Sequence, residues 1–277
     1  MRHTGRRGPR TALITGATGG IGRAMAHALA GRGTTLVLSA TSSDALDDLR
    51  QELLPHGVET FAVPADLSRA EDVQMLLERV GECPGGVDLL FYAAGRYVRG
   101  PVRGLTPADF TEAMDINFRP CVELVLGLLP GMLARGAGAV AAVSSVDGRK
   151  GLPLDAPYAA SKFALTGFLE VLRQELRPTG IRVVTLLPGR VDTPMIAGLR
   201  VPRVSAKIRP GRVARAALRA LDRRFGGEVL VPWVGPKLLL TASAFRASLG
   251  DALVRMFRLE GETDWLPPSR HMKHERQ

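Results

Sequence analysis

The sequence is poor in cysteine, aromatic residues, histidine and acid, and each shortage closes off a class of function. Two cysteines, Cys83 and Cys121, stand far apart among 277 residues. They form no C-x-x-C, so neither a disulfide framework nor a thiol redox motif is expected, and reduced thiols in a cytoplasmic protein are the simplest account. Aromatic residues make up 5% of the chain, and they are not interleaved with the basic ones as on a surface that stacks on bases. The net charge of +10, from 37 Lys and Arg against 27 Asp and Glu, is therefore not read as a nucleic-acid footprint. The histidines His3, His27, His56, His271 and His274 have no zinc-type spacing, and no metal is expected. Carboxylates occur as neighbours on solvated helices, Asp47 with Asp48 and Glu71 with Asp72, not as opposed pairs. Asp147 and Asp155, flanking one loop within reach of a substrate, are read as ordinary solvated residues. Long apolar runs are missing too. Residues 121–129 are apolar but too short for a bilayer, and Glu123 and Pro130 are expected to break them, which argues against a membrane span. Ahead of the first strand the chain is basic, and Arg6 and Arg7 have no apolar leader behind them. Residues 1–9 read as a disordered tail.

What is present is an alternation of short apolar strands and helical stretches. Strands are predicted at 11–15, 35–39, 59–63, 87–92, 139–143 and 181–187, with helices over 21–30, 43–54, 70–80, 107–134 and 157–177. Near-continuous apolar strands imply burial on both faces, hence a parallel sheet between two helical layers. Right-handed crossovers make this an α/β doubly wound (Rossmann) fold, one domain over 10–235 followed by an extension over 236–277.

Two constellations carry chemistry. The first strand runs into T-G-A-T-G-G-I-G, Thr15 to Gly22, whose glycines Gly16, Gly20 and Gly22 let backbone approach a pyrophosphate at a helix N-terminus. Gly19 also permits a G-x-x-G-x-x-G reading. Downstream, Ser145, Tyr158 and Lys162 are thirteen and then four residues apart. The four-residue step places Tyr158 and Lys162 on one helix face, so the ammonium is expected to favour phenolate and ready the phenol for proton transfer.

On these residues the chain resembles the classical short-chain dehydrogenase/reductases over residues 10–235. The resemblance implies that Tyr158 transfers a proton, Lys162 lowers its pKa and binds the nicotinamide ribose, Ser145 polarises a carbonyl, and Asn117 holds a water on a relay to Lys162. It further implies a cofactor site from Gly16, Gly20, Ile21 and Gly22, from Thr41 beside Ala40, from Asp66 toward the adenine, from Ala94 and Gly95, and from Pro188, Gly189, Val191 and Thr193. Asp66 alternatively reads as a helix cap. Where relatives carry N-N-A-G, this chain has Tyr92, Ala93, Ala94 and Gly95, so any hydrogen bonds of the two asparagines are lost. Neither a carboxylate at Ala40 nor an arginine at Thr41 is present. The missing carboxylate, with Arg23 just past the turn, favours NADP(H) over NAD(H).

The expected activity is NAD(P)-dependent interconversion of a ketone or aldehyde and an alcohol on a small-molecule substrate. A dinucleotide sensor without turnover and an epimerase or dehydratase of the extended branch are the alternatives. Helices apolar on more than one side, at 121–129 and after Tyr158, suggest a homodimer or higher oligomer. Residues 237–258 read as a basic amphipathic helix, with Leu238, Ala242, Phe245, Leu249, Leu253 and Phe257 on its stripe, Arg246, Arg255 and Arg258 nearby, and Gly250 as a break point. This tail is similar to that of a subset of the family that often handles lipophilic substrates, and it is expected either to pack within the protein or to rest peripherally on an anionic membrane.

Overall fold

The computed structural model describes residues 9–223, 226–232 and 234–263; most of the expected N-terminal tail and the end of the extension lie outside them. The chain begins β1 (Thr11–Thr15), α1 (Gly20–Ala30), β2 (Thr35–Ala40), α2 (Ser43–Leu53), β3 (Thr60–Pro64), α3 (Ala70–Gly81) and β4 (Leu89–Tyr92). It continues through α4 (Pro107–Asn117), α5 (Arg119–Arg135), β5 (Gly138–Val143), α6 (Ala156–Glu175), β6 (Ile181–Pro188) and β7 (Leu199–Arg200). Last come α7 (Pro210–Leu221), β8 (Gly227–Val231), α8 (Val234–Phe245), α9 (Ala247–Phe257) and β9 (Glu262–Thr263).

Seven strands form one parallel sheet in the order β3-β2-β1-β4-β5-β6-β8. Their side chains alternate between two cores. Ile14 and Phe91 face the layer holding Met25, Leu29, Leu46 and Leu218, whereas Leu13, Leu90 and Tyr92 face Leu76, Leu124, Leu165 and Leu169. Each such side chain, fully buried, contributes about 1.5–3 kcal/mol. Strand order reverses between β1 and β4, which opens a crevice at their carboxyl ends where doubly wound folds bind ligands.

Three expectations about helices are corrected. The helix predicted over 107–134 is two, α4 and α5, broken at Phe118 (φ −126°, ψ −62°). Pro120 is the cause: lacking an N–H, it cannot bond the Ile116 carbonyl four residues back. The Tyr92 hydroxyl donates to that carbonyl instead, so the residue that departs from the family pattern supplies scaffolding of its own. Pro130, by contrast, does not end α5, which continues to Arg135. The carbonyl it frees belongs to Leu126, an exposed residue on the solvent side where water can satisfy it. In the extension the break falls at Arg246, whose extended backbone (φ −157°, ψ 122°) separates α8 from α9. Gly250 sits buried inside α9, where a Cβ would lie 2.0 Å from Ser243 Oγ, so it permits close helix packing rather than breaking a helix.

The extension folds back on the domain. Leu239 and Val254 are buried with Val146, just past the end of β5, and Leu152 packs beside them. Lys150 pairs with Asp251, and β7 pairs antiparallel with β9. The stripe read from the sequence is not the packed one: Leu238, Phe245 and Leu249 are exposed.

Candidate active site

The glycine turn between β1 and α1 is a backbone-lined cradle. Gly16 has φ +59°, and a Cβ there would lie 2.8–2.9 Å from the backbone of Ala93 and Ala94. At Gly22 it would lie 2.1 Å from the Gly16 carbonyl, and at Gly20 it would meet Thr193 at 2.6 Å. The first turn of α1 has no side-chain cap and no acidic residue, so its free N–H groups and dipole suit an anion. Thr15 Oγ1 accepts from the Ala93 and Ala94 amides, tying β1 to the end of β4.

One cavity of about 620 Å³ joins this cradle to the predicted catalytic groups. Of the residues read from the sequence it is lined by Gly16, Gly20, Ile21, Gly22, Ala94, Gly95, Ser145, Tyr158, Lys162, Pro188, Gly189, Val191 and Thr193. Thr41, Asp66 and Asn117 are not in its lining. Thr41 is exposed just past β2. Asp66 is no helix cap, since that position belongs to Arg69. Its carboxylate accepts from the backbone and hydroxyl of Ser68 in an Asx turn, bonds that hold it below the usual carboxylate range. Arg23 is paired with Glu52, so it is engaged away from any 2′-phosphate.

Asn117 is fully buried, and its amide is wholly engaged. Nδ2 donates to the Arg96 carbonyl (3.0 Å) and Ser161 Oγ (2.9 Å), and Oδ1 accepts from the Arg96 amide (2.9 Å). It thereby pins the segment after β4 to α6. Its Oδ1 and Lys162 Nζ both crowd Gly95, at 2.8 and 3.5 Å from where a Cβ would stand.

Ser144, at the end of β5, bonds Thr166 Oγ1 (2.7 Å) and the Lys162 carbonyl (3.2 Å), which fixes the Ser145 loop against α6. Lys162 Nζ is 5.6 Å from the Tyr158 ring centroid and donates to the Val143 carbonyl at 2.9 Å. The Tyr97 ring stands edge-on to Tyr158, 4.9 Å between centroids.

The expected phenolate is corrected here. Burial pushes the Tyr158 phenol above its ordinary value, the Asp147 charge adds to this, and a hydrogen bond with Ser145 opposes it only in part. Burial also brings the Lys162 ammonium down to about 8. Lys162, whose Nζ donates to the Val143 carbonyl, is not among the causes that act on this phenol. Tyr158 is thus a protonated group at neutral pH, suited to giving a proton to a carbonyl oxygen.

Asp147 and Asp155 are not solvated as expected. Asp155 is buried, accepts from the Tyr97 hydroxyl (2.7 Å) and lies 3.6 Å from Arg99 Nε. Both carboxyls line the cavity together with Tyr97 and Arg190. Tyr97, Arg99 and Arg190 were not singled out from the sequence; only the position of Arg190 inside P-G-R-V-D-T hinted at it. The rest of the lining mixes apolar residues, Leu152, Met195, Leu199, Leu253 and Phe257 among them, with Arg203 and Arg212. Among the described residues no group of three or more His, Cys, Asp or Glu could hold a metal ion.

The chain belongs to the short-chain dehydrogenase family, whose sequence model matches residues 10–203, and it is an oxidoreductase of that family. It is 32% identical over 235 residues to an uncharacterised oxidoreductase of Listeria monocytogenes, covering 81% of this chain and 95% of the relative. A ketoacyl reductase of Nostoc sp. is 30% identical over 218 residues, 78% of this chain and 76% of its own. A short-chain dehydrogenase from Sphingobium yanoikuyae, solved with NADPH, superposes with a TM-score of 0.74 at 26% identity, covering 94% of this chain and 99% of that one.

Proposed function

We propose that the protein is an NADP(H)-dependent reductase of a lipophilic ketone, the carbonyl and alcohol being its substrate and product. The observation that carries this is Tyr158 beside Ser145 and Lys162 in one cavity with the glycine cradle, its lining including the apolar Leu152, Met195 and Leu199. In this reading Ser145 donates a hydrogen bond to the carbonyl oxygen and Tyr158 gives that oxygen its proton. Lys162 holds positive charge beside the phenol, which eases the proton's departure, and binds the nicotinamide ribose. Asn117 orders the segment carrying Gly95 through the bonds of its side-chain amide, which leaves that amide free of the relay to Lys162. The backbone of the glycine turn holds the pyrophosphate, with Pro188, Gly189, Val191 and Thr193 around the nicotinamide, while Thr41 and Asp66 lie toward the adenosine half. The cofactor, when bound, supplies the hydride.

NADP(H) over NAD(H) is supported by the absence of a carboxylate at Ala40 and by the NADPH held in the Sphingobium relative; Arg23, paired with Glu52, lends no support. A ketoacyl-like substrate is supported by the Nostoc relative's description and by the apolar lining. Fluorescence titration with NADPH and NADH, then turnover on 2-alkanones and 3-oxoacyl esters of increasing length, tests the reading. Tyr158→Phe should lose at least about 10²-fold in kcat while still binding NADPH. Near-normal turnover in that variant, or tighter binding of NADH than NADPH by the unmodified protein, would sink the corresponding assignment.

A homodimer or higher oligomer in the cytoplasm is also proposed. Exposed Leu126 and Leu133, seven residues apart on α5, and Phe163 and Val171, eight apart on α6, leave apolar faces that a second copy would cover. Sedimentation velocity showing a monomer at micromolar concentration would remove the oligomer.

A further inference from the structure

Asp147 stands two residues past Ser145 in a single 3-10 turn, Val146–Gly148. The turn is pressed hard on α6: a Cβ at Gly148 would lie 2.6 Å from Thr166 Oγ1 and 2.7 Å from the Lys162 carbonyl. Asp147 is therefore fixed. Its backbone N–H donates to Ser145 Oγ at 3.1 Å, and its Oδ2 accepts from that same Oγ at 3.1 Å. Its Oδ1 is buried and has no hydrogen-bond partner among the described residues.

The groups facing this carboxyl come from three directions. The loop before α6 and α6 itself bring Asp155 and Tyr158, the segment after β4 brings Tyr97 and Arg99, and the segment after β6 brings Arg190. None of the three polar neighbours best placed to satisfy Oδ1 is committed to it. Tyr97 and Arg99 are turned to Asp155, and Arg190 donates to Ser205 Oγ and the Leu259 carbonyl. Burial drives the Asp147 carboxyl up to about 7, with the Asp155 charge adding to it and Ser145, Arg190 and Arg99 opposing.

Ser145 has one hydroxyl hydrogen, and two uses compete for it. While Asp147 is ionised, Oδ2 takes that hydrogen, and none is left for a substrate oxygen. Once Asp147 carries a proton, its own O–H can donate to Oγ, which releases the Ser145 hydrogen toward the reacting oxygen. We propose that Asp147 is a positioning residue that sets the direction of the Ser145 hydroxyl, its neutral acid form being the one competent for carbonyl reduction. This rests on the reductase reading above.

Steady-state reduction of a 3-oxoacyl ester with saturating NADPH, followed from about pH 5.5 to about pH 9 in wild type, D147N and D147A, tests the proposal. In wild type kcat should fall with a midpoint at about 7. In D147N the amide donates permanently to Oγ, so kcat should stay near its low-pH value and the midpoint should rise by at least about one pH unit, toward the Lys162 limb. D147A should lower kcat at every pH without raising KM in proportion. A residue that served structure alone would lower stability in both variants and leave the midpoint in place. D147N falling as far as D147A, or keeping the wild-type midpoint, overturns the proposal. Infrared titration of the protein without substrate separates this from failure of the reductase reading. A carboxylic-acid band lost as pH rises through about 7, present in wild type and missing in D147N, is expected. Because burial also raises Asp155, the assignment is read from the difference between the two proteins: no carboxylic-acid band lost through about pH 7 in wild type beyond that of D147N refutes it, whether or not any ketone is turned over.

Discussion

Asp147 also bears on stability, and the sign follows from its raised pKa. Its ordinary value is 3.8 and its folded value about 7, so between these the native state holds a proton that the unfolded chain releases. Stability therefore falls as pH rises through that window, and the full loss, at most about 4 kcal/mol, is present above pH 7. Asn at 147 does not ionise. Urea unfolding should show D147N gaining on wild type by about 2 kcal/mol or more between pH 5 and pH 8; a difference that does not change with pH would mean the carboxyl titrates normally. The Tyr158–Lys162 step, the Ser145 spacing and the glycine turn were all legible in the sequence, because they depend on local geometry that spacing encodes. The state of their protons was not. A phenol beside a lysine reads as acidified in a sequence, but burial by residues far along the chain reverses the direction. Asp147 and Asp155 were misread for the same reason: an aspartate in a loop looks solvated until Tyr97 and Arg99 from beyond β4 and Arg190 from beyond β6 are seen beside it.

The strands and most helices were legible as elements because apolar periodicity reports burial directly, and the errors fall where proline and glycine are read without their neighbours. Pro120 breaks a helix and Pro130 does not, and the difference lies in what happens to the carbonyl four residues back. At Ile116 the carbonyl is met by the Tyr92 hydroxyl from β4. Tyr92 is fully buried, so its removal leaves a buried acceptor with no donor. Tyr92→Phe should cost about 1–3 kcal/mol in chemical unfolding. Because Asn117 follows Ile116 directly, the variant should also raise hydrogen-exchange rates around residues 95–96 and 117. Unchanged stability and exchange would show that the kink is held by Pro120 and packing alone. Gly250 teaches the converse lesson: a glycine mid-helix marked a close approach to Ser243, which only the fold reveals.

Across the whole molecule, we propose that the apolar patch on the extension, on a chain of net charge +10, rests peripherally on an anionic membrane. Val234, Leu238, Phe245 and Met256 are 62–85% exposed, too much for side chains that pack on their own domain. Leu238 and Phe257 are at once part of this exposed surface and of the cavity lining. On this proposal a lipophilic substrate would enter past Leu238 and Phe257. Burying Phe245 and Met256 in the headgroup region would contribute about 1.5–3 kcal/mol each, and the exposed Arg246 and Arg255 about 1 kcal/mol each against anionic lipid. The sum is a reversible affinity that weakens with salt. Co-sedimentation should therefore show binding to phosphatidylserine-containing vesicles at low salt, little to neutral vesicles, and release as salt is raised. Truncation after Gly235 is a poor control, because it uncovers Val146 and removes the Lys150–Asp251 pair beside the catalytic loop. The double substitution Phe245→Asp with Met256→Asp leaves the packed residues Leu239 and Val254 in place, so the protein should fold and lose vesicle binding. Its turnover of short ketones in solution should be unchanged, while turnover of long-chain ketones presented in vesicles falls. Absence of sedimentation with either lipid, or binding that survives the double substitution, would leave the extension as a wall of the cavity and nothing more.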